Sequence, residues 1–157
     1  MTPTTVKPIR VVASLSLVRP PVISAADVLR AVADRALEQG FVRDTFGDAL
    51  LAREKEFPTG LPTPLPVAIP HTSVEHVLRP ALAAVLLNPP VEFGEMGGTD
   101  RTVAVRLAVV LMVTDPSSQV GLLSRLINAL RRPDLEETLV GADSPEALAD
   151  AVQSLLG

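Results

Sequence analysis

Apolar and polar positions along the chain alternate between strand-like runs and helical spacing. Val11 to Val18 is a short apolar run, predicted as an opening strand, and Arg19-Pro20-Pro21 ends it. Ser24 is an N-cap residue type. Beyond it Val28, Leu29, Val32, Ala36 and Leu37 recur at helical spacing, and Gly40 closes the helix. Asp44 or Thr45 opens a second helix through about Glu56, which Pro58 and Gly60 end. A loop with Pro62, Pro64 and Pro66 leads into a strand at 65–69, then His71 and a polar segment through Arg79. A further apolar run, Ala81 to Leu87, is expected to stop at Asn88-Pro89-Pro90, and Gly94 to Asp100 is turn-rich. Val103 to Val113 is almost wholly apolar, the pattern of a central strand buried on both faces. Asp115 precedes Pro116 at the favoured first helical position. That helix carries the apolar stripe Val120, Leu122, Leu123, Leu126, Ile127 and Leu130, and Pro133 stops it. Two shorter helices are expected near 134–140 and over 145–156, the second capped by Ser144.

Strands interleaved with helices predict an α/β fold, a single-domain sandwich. Residues 1–9 read as a flexible N-terminus and 10–157 as the domain. A chain of 157 residues has the size of one domain and needs no staple. The run at 11–18 is too short for a membrane helix, and Arg19-Pro20-Pro21 stands where a signal peptide would carry small residues.

Composition narrows the function. With no Trp, no Tyr, four Phe and a net charge of −4, the chain lacks the basic groove and stacking faces of a single-strand nucleic-acid binder. With no Cys it has no disulfide, no thiolate chemistry and none of the common zinc frameworks. No dinucleotide fingerprint, phosphate-binding loop or HExxH motif occurs, and no cofactor or metal is expected. Of the two histidines, His71 follows a predicted strand, and Pro70 biases Ile69 to extended geometry. A rigid strand end suits an imidazole nucleophile that takes and gives a phosphoryl group; the same pattern also fits a hydrogen-bonded loop histidine. Arg53 is a candidate cation for phosphoryl oxygens, and Thr59 and Ser118 offer hydroxyls. Arg53 and Glu54 equally fit a solvated pair on a helix surface. His76 lies five residues from His71, a spacing that disfavours shared metal ligation. The apolar residues nearest His71 in sequence, Leu61, Leu65, Val74 and Val77, are candidates for a docking rim.

Taken together, Ala52-Arg53-Glu54, Phe57-Pro58-Thr59-Gly60 and Val67-Ala68-Ile69-Pro70-His71 form a recognisable combination. With the apolar 103–113 run, Gln119 and the Leu122-Leu123-x-x-Leu126 stripe, the chain resembles the type-2 IIA components of the bacterial phosphoenolpyruvate-dependent sugar phosphotransferase system. It is most similar to the galactitol-type branch, and the resemblance spans roughly residues 10–156. The resemblance implies a mixed β-sheet flanked by helices, with His71 as the phosphoryl acceptor at Nε2 and Arg53 stabilising the group. Glu54, Thr59, Ser118, Gln119 and His76 are the supporting candidates. It implies phospho-HPr as donor, a cysteine of a IIB component as acceptor, a membrane IIC partner that carries the sugar, and a cytoplasmic location. Mannitol-type relatives place a second histidine where this chain has Asp115-Pro116-Ser117-Ser118, which contains none. The alternative is a regulatory module whose partner binding is switched by phosphorylation of His71.

Overall fold

The computed structural model describes residues 9–139 and 141–156. Most of the expected flexible N-terminus lies outside them. The elements in chain order are β1 (Leu17–Val18), α1 (Ala25–Glu38), α2 (Phe46–Glu56), β2 (Gly60–Leu61), β3 (Val67–Ala68), β4 (Ala81–Gly94), β5 (Thr102–Met112), α3 (Pro116–Leu130), α4 (Leu135–Leu139) and α5 (Pro145–Leu156). The strands form one mixed sheet in the order β1-β4-β5-β3-β2. β1 runs parallel to β4 and β3 parallel to β5, whereas β4–β5 and β2–β3 are antiparallel.

The long apolar run is the central strand that the sequence predicts. In β5, Ala108, Val110 and Met112 face a core shared with α1 and α2, while Leu107, Val109 and Leu111 face one shared with α3, α4 and α5. From Leu107 on both faces are buried, which is why the run does not alternate in polarity there; before it Ala104 is exposed and Arg106 half-buried, so one face opens to solvent. The mixed sheet with helices on both faces matches the expected sandwich.

Four local readings change. The opening run is not a continuous strand: a 3-10 turn at Ala13–Leu15 interrupts it, and only Leu17–Val18 pairs as a strand. Buried Ser16 causes the interruption. Its hydroxyl donates to Val12 O and accepts Ala84 N–H, replacing a ladder bond with a side chain. Second, β4 does not stop at Asn88-Pro89-Pro90. The strand continues to Gly94 across a register shift between Leu86 and Val91, and a bulge tolerates prolines that the ladder interior would not. Third, the proline-rich loop before His71 contains a short strand, β2, because Gly60 crosses close to the end of β4. A Cβ on Gly60 would come within 2.5 Å of Gly94 O. Fourth, the predicted 65–69 strand is laddered only at Val67–Ala68.

Caps follow the sequence. Ser24 accepts Asp27 N–H, and Asp27 reaches back to Ile23 N–H. Asp115 and Ser144 cap α3 and α5 in the same way. Among the described residues, no helix is long and apolar enough to cross a membrane.

Candidate active site around His71

The parallel pairing of β3 and β5 brings their C-terminal ends to one edge of the sheet, where open α/β sheets place their sites. His71 extends β3 along β5: it bridges to Leu111, whose N–H donates to Pro70 O at 2.9 Å. Soon after β5 ends, α3 begins at Pro116. An open hollow of about 450 Å³ lies there, lined by His71, Arg53, Val74, Gln119, Val120 and Leu123 among others. Pro116 lines it too, so the electropositive start of α3 adjoins the imidazole. The cap is partly filled, because Asp115 already accepts Ser117 N–H.

The His71 ring is locked by its own strand. Nδ1 lies 2.9 Å from Ile69 O. A carbonyl can only accept, so Nδ1 carries the proton and Nε2 keeps its lone pair. Nε2 has no hydrogen-bond partner among the described residues. Burial lowers the His71 pKa below its ordinary value; the Ile69 carbonyl opposes the shift, and the Arg53 charge adds to it. Near pH 7 the ring is therefore neutral and nucleophilic.

Arg53 sits in the last turn of α2, exposed, with its guanidinium 4.5 Å from the centre of the Phe57 ring. It is in no ion pair among the described residues. The reading of Arg53 and Glu54 as a solvated surface pair is thereby corrected. One residue on, the helix turns Glu54 inward, where it is only 8% exposed. Its carboxylate accepts Thr59 N–H at 2.7 Å and the Thr59 hydroxyl at 2.8 Å. Burial pushes the Glu54 pKa up to about 7, although both Thr59 bonds pull it down.

The other candidates separate. Thr59 is buried behind the strand, its hydroxyl committed to Glu54 and to Ile69 N–H, so it is not a hydroxyl offered to a phosphoryl group. Ser118 gives its hydroxyl to Asp115, whose pKa is lowered chiefly by bonds from Ser117 and then from Ser118. Gln119 lines the hollow and donates to Thr72 O at 3.4 Å, across the gap between α3 and the segment after His71. His76 belongs elsewhere. Its Nδ1 is 2.8 Å from Thr45 Oγ1, tying the 3-10 turn at Val74–His76 to the start of α2. Of the expected rim, Leu65 and Val77 are buried in the cores and Leu61 packs against one; Val74 lines the hollow. Val120, read as part of the helical core stripe, is instead 70% exposed beside His71. The signal was available: Leu122, Leu126 and Leu130 define the buried face at four-residue spacing, and Val120 falls to its flank.

Comparison with known proteins agrees with this geometry. Residues 14–154 match the model of the family described as "Phosphoenolpyruvate-dependent sugar phosphotransferase system, EIIA 2". The chain is 36% identical over 119 residues to the galactitol-specific EIIA component of Escherichia coli (strain K12), covering 75% of this chain and 79% of that protein. It is 31% identical over 141 residues to the nitrogen regulatory protein of Pseudomonas aeruginosa, covering 87% and 88%. Its fold superposes with a TM-score of 0.68 and 25% identity on the mannitol IIA enzyme of Escherichia coli, solved in complex with its phosphorylated IIB enzyme, covering 91% and 94%. The chain thus belongs to the type-2 EIIA family of the phosphoenolpyruvate-dependent sugar phosphotransferase system, phosphotransferase components that carry a phosphoryl group on histidine.

Proposed function

We propose that His71 Nε2 accepts the phosphoryl group from phospho-HPr and hands it to a cysteine of a IIB component, in the uptake of galactitol or a related polyol or sugar. The observation that carries this reading is the Nδ1–H bond to Ile69 O, which leaves Nε2 as the free nucleophile beside Arg53. The Nε2 lone pair forms the new N–P bond while the donor's N–P bond breaks and its pair returns to the donor imidazole. The proton stays on Nδ1, donated to Ile69 O throughout, and that carbonyl stabilises the positive charge the ring acquires. In the second step the IIB thiolate forms an S–P bond, the His71 N–P bond breaks, and the pair restores the neutral ring.

Arg53 neutralises charge spread over the phosphoryl oxygens in both steps, with the start of α3 on the opposite side. Gln119 ties α3 to Thr72. Val120, Leu123 and Val74 form a shared apolar rim on which HPr and IIB dock in turn. The mannitol IIA structure in complex with phosphorylated IIB supports the IIB partnership. The membrane IIC component carries the sugar, and the transfer takes place in the cytoplasm, where HPr is charged.

The likeness to the nitrogen regulatory protein over 87% of this chain favours a second reading, in which phosphorylation of His71 switches binding to a regulated partner. The two readings share the first step and differ in the acceptor.

The test is incubation with phosphoenolpyruvate, enzyme I and HPr, read by intact mass. The wild-type chain should gain one acid-labile phosphoryl group and the His71→Ala variant none. Stoichiometric labelling of His71→Ala would refute the assignment. Addition of a cognate IIB should then discharge the phosphoprotein if the transport reading is right, and leave it charged if only regulation operates.

A further inference from the structure

The transfer steps above make no use of Glu54, a buried carboxyl group that forms no ion pair among the described residues. A buried carboxylate without a cation is costly, so its place needs a reason. Its bonds lead to the active site. Glu54 accepts both the N–H and the hydroxyl of Thr59. The same hydroxyl oxygen accepts Ile69 N–H at 3.2 Å, and Ile69 O accepts His71 Nδ1–H at 2.9 Å. Both polar main-chain atoms of Ile69 are therefore spoken for, one from behind and one by the reacting ring. Pro70 next to it has a fixed φ, and its carbonyl is held by Leu111 N–H. What remains to aim the Ile69 carbonyl is the hold on Ile69 N–H, and Thr59 supplies it. Thr59 can give Ile69 an unambiguous acceptor only if its own hydrogen is taken elsewhere, and Glu54 takes it.

We propose that Glu54 and Thr59 are positioning residues for phosphoryl transfer: without touching the phosphoryl group, they orient the Ile69 main chain and through it the tautomer and aim of the His71 ring. The proposal rests on the reading in which His71 is the acceptor. A purely structural role, bracing the turn between α2 and β2, would make the same bonds but would leave the ring unaffected once the chain is folded.

Two readouts separate these roles. Long-range proton–nitrogen NMR of histidine-labelled protein reports the His71 tautomer without any transfer. Steady-state transfer from phospho-HPr gives kcat and KM. The variants are Thr59→Val, Thr59→Ser and Glu54→Gln. The wild type should show the Nδ1–H tautomer alone. Thr59→Val should mix the tautomers and lower kcat by about tenfold or more, with KM for HPr moved by less than about twofold, because misaimed groups cost rate rather than docking. Thr59→Ser keeps the hydroxyl and should restore both readouts. Glu54→Gln keeps one acceptor oxygen where the carboxylate offers two to Thr59 and sets an amide NH2 donor against the other Thr59 hydrogen. It therefore disturbs the hold on Thr59 and should shift both readouts in the same direction, by less. A folded Thr59→Val with wild-type tautomer and kcat would overturn the proposal, as would an effect on KM alone. If Thr59→Val does not fold, Glu54→Gln decides: reduced kcat with a mixed tautomer supports the proposal, and unchanged values refute it. A wild-type chain that is never labelled at His71 would bring down the functional reading itself, whereas a labelled His71 with unmoved variants brings down this inference alone.

Discussion

The two sides of His71 are built in opposite ways. Behind it, Glu54, Thr59 and Ile69 are buried and joined by hydrogen bonds that satisfy every polar atom named. In front, Arg53 and Val120 are exposed, and Arg53 lies over the Phe57 ring with no ion pair among the described residues. Adjacent residues of one helix, Arg53 and Glu54, serve the two sides. The contrast suits a carrier. A group that must be reached by two different proteins needs an open face, and a nucleophile that must meet both at the same angle needs a fixed back. On the reading proposed above, specificity for partners resides in the front, while the chemistry of the imidazole is set from the rear.

The largest effect should come from the rear. Because burial raises the Glu54 pKa from 4.5 to about 7, the folded chain holds a proton that the unfolded chain has released between those values. Stability from this group is fully present below about pH 4.5 and is lost as pH rises through about 7, a swing on the order of 3 kcal/mol. Urea unfolding at about pH 5 and about pH 8 should show that fall in the wild type and a flatter dependence in Glu54→Gln. Equal slopes in the two proteins would mean that Glu54 is not the buried acid described.

The front should respond in rate rather than in stability. Arg53→Ala should raise the transfer barrier by about 2 kcal/mol, the low end for a lost oxyanion donor because the site is open to water, with Tm nearly unchanged. Arg53→Lys should recover part of the rate, since an ammonium lacks the planar fork. A large fall in Tm for Arg53→Ala would erase the distinction between front and rear. Val120→Asp, at a position 70% exposed, should weaken docking by about 1 kcal/mol, seen as a rise in KM for phospho-HPr at constant kcat. A loss in kcat instead would place Val120 among the groups that align the ring.

Much of this could be read from the chain. The helix stripes, the caps at Ser24, Asp115 and Ser144 and the two-faced burial of β5 follow local periodicity and local hydrogen bonding, which sequence carries directly. What escaped depends on distant partners. Ser16 breaks the first strand by bonding to Ala84, and β4 crosses its prolines because β5 accommodates the bulge. Glu54 reads as a surface charge because nothing in α2 alone shows that Thr59 turns back to meet it. The candidate acceptor histidine is legible because Ile69-Pro70 fixes the backbone just before it. Its tautomer was not, since that depends on where the ring folds back onto its own strand.

In the proposed transfer, His71 reacts through Nε2 while Nδ1 stays bonded to Ile69. The most direct measurement is phosphorus–nitrogen NMR of the histidine-labelled phosphoprotein formed with phosphoenolpyruvate, enzyme I and HPr. The expected result is phosphorus on Nε2 of His71, a proton retained on Nδ1, and a His76 ring that keeps its bond to Thr45. Phosphorus on Nδ1 of His71, or on His76, would contradict it.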